Sequence, residues 1–270
     1  MNEIIFHNVD RNNLCETYYF DGITDILNNN LSGYSVIFTA DFETLPDTKY
    51  KKIVILGGDE SGDAGLDLYS QYSDVVAVFR FYNEADRYDN KYIYPIPIGY
   101  NCRSNGSLMV KMYPEKKISE RKYDIFYSGQ TLEWRKPLVD KLEELSKYFN
   151  ILYQSTPSFR QGMDIDEYYQ TMGDSKICVC PDGTVVDTFR FVEACGSGCA
   201  IITTPKPDLW YYRNAPLYYV KQWDRLTKAY IENVLHGDID DSQKRINKYY
   251  NDNLSENAVA NYIIQKVNER

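Results

Sequence analysis

The stretch SKICVCPDGTVVDTFRFVEACGSGCAIIT, residues 175–203, restricts the fold of this chain more than any other segment. Apolar runs at its two ends have the length of buried strands, and a segment with helical spacing lies between them. The pattern predicts a strand, a Gly-containing loop, a helix over 187–197 that glycines end, and a second strand. That order is typical of an α/β fold in which the two strands run parallel.

The predicted helix carries a cation and a carboxylate on one face, Arg190 and Glu193. With Asp187 as the cap, Thr188 and Arg190 fall in the first turn, where the helix dipole favours an anion by about 0.3–1 kcal/mol. The planar fork of Arg190 suits a diphosphate, and Glu193 can accept hydrogen bonds from a ribose diol. This pattern predicts a nucleotide-sugar ligand. The alternative is an ordinary intrahelical ion pair, worth about 0.3–0.5 kcal/mol.

Charge and composition exclude several classes of protein. The chain has 270 residues and a net charge of −9, so electrostatic binding of nucleic acid is not expected. A signal-peptide pattern and an apolar run of membrane-spanning length are both absent from the sequence, which predicts a cytoplasmic protein with at most peripheral membrane contact. The six cysteines form no paired CxxC units and only two histidines are present, which favours reduced thiols and argues against a zinc site. We therefore expect no metal and no cofactor.

Short apolar runs alternate with helical stretches, which predicts two consecutive α/β domains with largely parallel sheets. The N-terminal domain covers 1–115, the C-terminal domain covers 116–270, and a loop-rich linker lies over 99–122. A last amphipathic helix, 255–268, is a candidate to pack back on the first domain. The predicted strands are 3–6, 34–39, 52–56, 75–80 and 92–98, then 123–128, 150–153, 176–180, 199–203 and 217–220. The other predicted helices cover the segment between the first two strands and about 132–148, 164–173 and 223–235.

A second candidate phosphate site follows the strand at 123–128. Ser128 and Gly129 form a small-residue turn that permits close approach of a phosphate, and Arg135 begins the next helix. The alternative is a simple strand–helix turn with a surface arginine.

Charged residues also follow strands of the N-terminal domain. Asp59 and Glu60 come after IVILGG, at a strand end where a general base can face a cleft. A solvated acidic turn is the alternative. Arg80 ends the strand VVAVFR and His7 follows the first strand, so both are candidate cleft contacts, although charges at strand ends are common.

The segment SKICVCPDG…DTFRFVEACGSGCAII resembles the C-terminal signature of exostosin-like glycosyltransferases. In that family a strand reading SKxCLCPxG precedes an R-[FL]-x-E helix and a strand led by Gly-Cys. YDIFYSGQTLEWRKPL at 123–138, VFRFYN at 78–83 and IPIGY at 96–100 are similar to other family segments. The resemblance implies the GT-B fold, two Rossmann-like domains that face each other across a cleft, in a bacterial-type soluble member.

The resemblance also implies an activity: metal-independent, inverting transfer of a hexosyl or related sugar from a nucleotide-sugar to a hydroxyl of a glycan or glycolipid. Such a reaction belongs to the synthesis of surface polysaccharides or glycoconjugates. The alternatives are a GT-B-like nucleotide-sugar epimerase, a polyol-phosphate transferase, and a non-catalytic module that binds glycans or nucleotides.

The site residues expected on this basis fall into three groups. Glu60 or Asp59 is the candidate base. His7 is a further candidate base, because some GT-B enzymes place a base at that position. In the loop after the strand at 176–180, Asp182 stands where the family often has a basic residue. The expected donor-binding residues are Gly129, Arg135, Asp187, Thr188, Arg190 and Glu193, and the candidate cleft contacts are Arg80, Ser128, Asp182, Gly183 and His7.

Overall fold

The computed structural model describes residues 2–10, 17–58, 68–81, 92–101, 116–158 and 161–270. These residues form a mixed α/β protein with two five-stranded parallel sheets. The first sheet contains, in spatial order, β1 (Glu3–His7), β2 (Tyr34–Thr39), β3 (Lys51–Leu56), β4 (Val75–Arg80) and β5 (Ile93–Pro95). The second contains β6 (Tyr123–Gln130), β7 (Ile151–Thr156), β8 (Ser175–Val179), β9 (Ala200–Thr203) and β10 (Tyr218–Tyr219).

Every strand that the sequence predicts is present, with small shifts at the ends. The largest difference is β5, which ends at Pro95 instead of continuing to residue 98. Pro95 and Pro97 have no N–H to donate to a sheet ladder, so the pairing stops there.

Seven α-helices lie in the described residues: α1 (Thr17–Asn30), α2 (Lys136–Leu145), α3 (Ile165–Gly173), α4 (Phe189–Gly196), α5 (Lys228–His236), α6 (Ile239–Asn253) and α7 (Glu256–Asn268). The sequence pattern predicts each of them except α6.

Helix α6 escapes prediction because most of its fifteen residues are polar. Asp238 caps its first turn by accepting a hydrogen bond from the Asp241 N–H at 2.9 Å. Ile246, Tyr249 and Tyr250 lie on one buried face. Tertiary packing of this narrow stripe, together with the cap, therefore stabilises a helix with little overall hydrophobicity.

The order of strands in the second sheet is β10-β9-β8-β6-β7. The chain leaves β6 toward β7 on one side and then returns past β6 to β8 on the other. At such a reversal the connections after β6 and β8 separate, which opens a crevice at their carboxyl ends. The described strands of the first sheet follow the chain order without a reversal. Topology therefore places the expected ligand crevice at the second sheet.

One apolar cluster joins the facing sides of the two sheets. It includes Phe38 and Phe79 from the first sheet, Phe126 from the second, and Phe191 from α4. The outer face of each sheet has its own smaller cluster. Helix α7 packs against α1 and β4, where its Tyr262 ring lies 6.4 Å from that of Phe79. The end of the described chain thus contacts the first sheet.

None of the helices in the described ranges combines the length and the apolar character needed to cross a lipid bilayer. Cys178, Cys180, Cys195 and Cys199 are free thiols, and all four are buried.

The segment 96–101 leads away from the first sheet and makes a close backbone approach to α1. Gly99 has φ +81°, and a Cβ atom there would lie 2.2 Å from the Tyr19 ring. The Tyr19 hydroxyl donates to the Leu254 carbonyl at 2.7 Å, so the ring cannot easily move. Only glycine satisfies both the left-handed backbone and the contact.

We expect Gly99→Ala to destabilise the protein much more than Gly33→Ala. Gly33 has nearly the same φ, +80°, but nothing lies within 4 Å of its added Cβ. Gly33→Ala should cost about 1–2 kcal/mol from the left-handed backbone alone, and Gly99→Ala should add about 1–3 kcal/mol from overpacking. Urea unfolding of both variants measures the difference. Equal losses would contradict the packing of Gly99 against Tyr19.

Candidate functional site

A cavity of about 540 Å³ lies at the carboxyl ends of β6 and β7 and along the loop that follows β8. This is the position of the crevice that the strand order creates. Its lining comes from 96–101, from the strand ends, from α3 and from the first half of α4. The lining residues are Ile98, Asn101, Ser128, Gly129, Gln130, Leu132, Arg135, Thr156, Gly162, Met163, Ile165, Tyr168, Gly183, Thr184, Val185, Asp187, Thr188, Phe189, Arg190 and Glu193.

Arg190 lies half-buried in this cavity, in the first turn of α4. Its Nη2 donates to the Ser128 carbonyl, and its guanidinium carbon lies 5.0 Å from the centroid of the Tyr127 ring. A Cβ atom on Gly129 would approach Nη2 to 2.4 Å. The glycine therefore lets the end of β6 come close to the guanidinium.

Arg135 connects two segments of the cavity wall through hydrogen bonds. Its Nε and Nη2 donate to the Asp182 carbonyl at 2.9 and 2.7 Å, and Nη1 donates to the Gln130 carbonyl at 3.2 Å. The side chain thereby links the end of β6 to the loop after β8. Burial and the nearby charge of Arg190 lower the pKa of Arg135.

Glu193 is almost completely buried, with 2% of its surface exposed. Its Oε1 accepts hydrogen bonds from the Asn101 N–H at 3.0 Å and from the Tyr169 hydroxyl at 2.9 Å. Its Oε2 accepts one from the Tyr168 hydroxyl at 2.8 Å. Burial raises the pKa of Glu193, and these three hydrogen bonds oppose the shift. The carboxylate is therefore held by an amide and two tyrosines and forms no ion pair with Arg190 within the described structure.

Asp187 does not cap α4 as the sequence analysis expected. The residue in the N-cap position is Thr188, with φ −145° and ψ 144°. Asp187 instead accepts four hydrogen bonds: Oδ1 from Tyr212 at 2.9 Å and the Thr188 N–H at 3.1 Å, and Oδ2 from Tyr211 and the Ile98 N–H, both at 3.2 Å. These donors come from three segments of the chain, and together they hold the Asp187 carboxylate in its position. Burial raises its pKa, while these hydrogen bonds act in the opposite direction.

Asp187 and Glu193 flank the first turns of α4 and bind the same stretch of backbone. One accepts the N–H of Ile98 and the other the N–H of Asn101. Both amides belong to the segment that leaves the first sheet. The two carboxylates therefore fix α4, and with it Arg190, relative to that segment.

The two candidate residues of the loop after β8 have different positions. Gly183 lines the cavity. Asp182 does not belong to the lining among the described residues, because its carboxylate binds the Thr204 hydroxyl at 3.0 Å and the buried Lys206 ammonium. Lys206 also donates to the Val186 carbonyl at 3.0 Å. The aspartate thus shapes the loop through its carbonyl and its carboxylate.

Of the four candidates from the N-terminal domain, the structure describes two, and neither lines the cavity. Asp59 and Glu60, the candidate bases, lie outside the described residues. Arg80 is 1% exposed at the end of β4, and His7 lies at the end of β1 with its Nε2 3.8 Å from an Asp41 oxygen. Neither Arg80 nor His7 is among the described residues that line the cavity.

Sequence reasoning missed the contributions of α3 and the linker to this site. Tyr168, Ile98 and Asn101 line the cavity, yet none belongs to a strand–loop–helix motif. A tyrosine on a helix face carries no signal of its own, because most such residues pack in the core. The contact of Tyr168 with Glu193 depends on a strand order that the sequence does not reveal.

In the described part of the chain, no group of three or more His, Cys, Asp or Glu side chains is arranged to hold a metal ion.

We expect Asp187→Asn to destabilise the fold. The amide NH₂ would face two of the four donors that now bind the carboxylate, which should cost about 1–3 kcal/mol in the free energy of unfolding. Asp208→Asn is the matched control, because the Asp208 side chain is 78% exposed and, in the described part of the chain, pairs with nearby Arg213 on the surface. That change should stay within about 0.5 kcal/mol. Similar unfolding midpoints for the two variants in urea would refute the structural role of Asp187.

Comparison with solved structures places this geometry in a known fold. An alpha-glucosyltransferase in complex with UDP-glucose and DNA containing an abasic site is similar over 99% of both chains, with 9% sequence identity and a TM-score of 0.63. An alpha1,3-fucosyltransferase with GDP is similar over 100% of this chain and 91% of its own, with 13% identity and a TM-score of 0.54. A chain from a GtfA/B complex is longer: the chain described here spans 61% of it, with 11% identity and a TM-score of 0.48.

At the level of sequence, no family model and no curated protein matches the chain. The identities to the solved structures are low, so these similarities concern the fold. The two parallel sheets and the full-length structural matches show that the chain has the GT-B glycosyltransferase fold.

Proposed function

We propose that this protein is a glycosyltransferase that moves a sugar from a nucleotide-sugar to a hydroxyl of a glycan or glycolipid acceptor. The cavity at the second sheet is the donor site. In line with the exostosin-like signature, the reaction is a direct displacement with inversion, independent of a metal ion, in the synthesis of a surface polysaccharide or another glycoconjugate.

The observation that carries this proposal is a pair of guanidinium groups in one cavity. Arg135 and Arg190 both line it, and within the described chain their hydrogen bonds go to backbone carbonyls and not to carboxylates. Partly buried like charges disfavour each other unless an anion compensates them. A diphosphate supplies that anion, with a geometry that suits guanidinium forks.

The start of α4 adds further groups for an anion. Thr188 lines the cavity at the N-cap, and its hydroxyl has no hydrogen-bond partner among the described residues. The helix dipole points its positive end at the same place. These groups would stabilise the charge that develops on the diphosphate as it leaves the sugar.

The rest of the lining suits the nucleoside of such a donor. Glu193 offers a carboxylate to the ribose, and apolar side chains from two sides offer contact surface to the base. These apolar residues are Leu132, Met163, Ile165, Val185 and Phe189. The alpha-glucosyltransferase and alpha1,3-fucosyltransferase structures contain UDP-glucose and GDP, respectively, which supports a nucleoside diphosphate as the moiety bound here. Asp59 or Glu60 acts as the base that deprotonates the acceptor hydroxyl.

We expect Arg190→Ala to lower sugar transfer about 10²–10³-fold, because it removes a preorganised charge that stabilises the leaving group. The variant should also lose most of the rise in melting temperature that UDP, GDP, CDP or dTDP gives the wild type. Thermal-shift measurements with these four nucleotides and turnover with the matching nucleotide-sugars test both effects. EDTA should leave turnover unchanged.

Arg213→Ala is the control, because the Arg213 side chain is 60% exposed and its partner is Asp208 on the surface. It should bind and turn over donor like the wild type. Near-normal turnover in Arg190→Ala, or a wild type that none of the four nucleotides stabilises, would overturn the proposal. A new product formed from donor without acceptor would instead indicate an epimerase, and binding without turnover a non-catalytic module.

Gly129→Ala should impair donor binding without unfolding the protein. The added Cβ would meet the far end of the Arg190 side chain at 2.4 Å, and a flexible side chain can move away. The displaced guanidinium should weaken nucleoside diphosphate binding about tenfold, or ~1.4 kcal/mol.

Gly162→Ala is the matched control for this change. Gly162 also lines the cavity, but its added Cβ would meet Ser128 Oγ at an ordinary 3.5 Å. Calorimetric titration of the two variants compares the affinities. Equal losses in both would argue against a specific role for the close approach of Gly129 and Arg190.

A further inference from the structure

The hydroxyls of Tyr168 and Tyr169 both contact the Glu193 carboxylate, but the two side chains have different surroundings. Both hydroxyls lie within donating distance of the Glu193 carboxylate, Tyr168 of Oε2 at 2.8 Å and Tyr169 of Oε1 at 2.9 Å. The Tyr169 proton is shared with the Asn101 carbonyl at 2.8 Å. Tyr168 lines the cavity, whereas Tyr169 is buried and is not among the described lining residues. A ligand in the cavity can therefore reach the Tyr168 hydroxyl, whereas the fold encloses the Tyr169 hydroxyl.

The hydrogen-bond capacity of Glu193 is nearly used up. A carboxylate oxygen accepts about two hydrogen bonds. Among the described residues, Oε1 accepts from the Asn101 N–H and the Tyr169 hydroxyl, while Oε2 accepts from Tyr168 alone. Within that part of the chain one free position therefore remains, on Oε2. Glu193 as it stands can bind one hydroxyl of a ribose diol, and the second hydroxyl needs another acceptor.

Tyr168 has the acceptor that is missing. A tyrosine hydroxyl has one proton to donate and lone pairs to accept. Its proton is committed to Oε2, and burial, followed by the nearby charge of Glu193, raises the pKa of Tyr168 well above its ordinary value. The hydroxyl therefore stays protonated, and its lone pairs remain for a ligand.

We propose that Tyr168 is a substrate-binding residue that, together with Glu193, clamps the ribose diol of the donor. One ribose hydroxyl donates to Glu193 Oε2, and its neighbour donates to the Tyr168 hydroxyl oxygen. The two acceptor oxygens lie 2.8 Å apart, a separation comparable to that of two hydroxyl oxygens on adjacent ring carbons. Tyr169 binds the other carboxylate oxygen, Oε1, and does not touch the donor. This assignment rests on the proposed function.

Deoxynucleotides test the clamp, because each lacks one of the two hydroxyls. Of the three ribonucleotides UDP, GDP and CDP, the one that stabilises the wild type best is titrated beside its 2′-deoxy and 3′-deoxy analogues by calorimetry. In the wild type each analogue should bind about tenfold more weakly than the parent, as expected for the loss of one hydrogen bond to a buried group. In Tyr168→Phe one analogue should bind as tightly as the parent, while the other stays weaker.

Tyr169→Phe is the matched control. It removes a tyrosine hydroxyl from the same carboxylate, together with the contact of that hydroxyl with the Asn101 carbonyl. It should therefore weaken the parent and both analogues equally and leave the wild-type discrimination intact. Glu193→Gln is a second variant, in which discrimination should fall at the hydroxyl that Tyr168→Phe does not affect. Melting temperatures without ligand show that each variant is folded.

The possible outcomes separate this inference from the proposed function. Discrimination against both analogues that persists in Tyr168→Phe overturns the role of Tyr168 and leaves the donor site in place. A wild type that binds the parent and both analogues equally overturns the diol clamp as a whole. A wild type that binds no nucleoside diphosphate overturns the proposed function itself.

Discussion

Two buried carboxylates hold this structure in its working geometry. Asp187 lies two residues before α4 and Glu193 lies in its second turn. They bind the N–H groups of Ile98 and Asn101, respectively, in the segment that leaves the first sheet. A buried carboxylate is costly unless hydrogen bonds satisfy it, and tyrosines complete the set at both positions. The position of α4 relative to the first sheet therefore depends on the hydrogen bonds that satisfy both groups.

The hydrogen bonds of these two carboxylates also determine where the charged groups of the cavity lie. Fixing α4 fixes Arg190 against the end of β6, where Gly129 permits the approach, and Arg135 joins that strand end to the opposite loop. Positive charge thus collects at a crevice that the strand order has already opened. Glu193, one of the two carboxylates in the cavity lining, accepts hydrogen bonds from hydroxyl and amide donors. Under the proposed function the guanidinium groups bind the diphosphate of the donor and Glu193 binds its ribose.

Prediction from sequence succeeded where local pattern and final environment agree. Buried parallel strands such as β2 and β4 are continuous apolar runs, so their bounds follow from the residues. It failed where long-range contacts override local preference. Asp187 has the residue type of a helix cap, but three donors from distant segments, the Ile98 N–H and the hydroxyls of Tyr211 and Tyr212, hold its carboxylate elsewhere. Helix α6 has little apolar pattern and forms because its few apolar residues reach an existing core.

The sequence by itself determined the alternation of strands and helices, and hence an α/β fold, because hydrophobic periodicity is local. It also placed Arg190 and Glu193 one turn apart on α4, because helical spacing is fixed by the backbone. Only the tertiary structure decided what these groups face. The order of β6, β7 and β8 brings Tyr168 to Glu193 and Ser128 to Arg190, across 25 and 62 residues of chain. Contacts over such separations depend on how the sheet is assembled, which no short stretch of residues encodes.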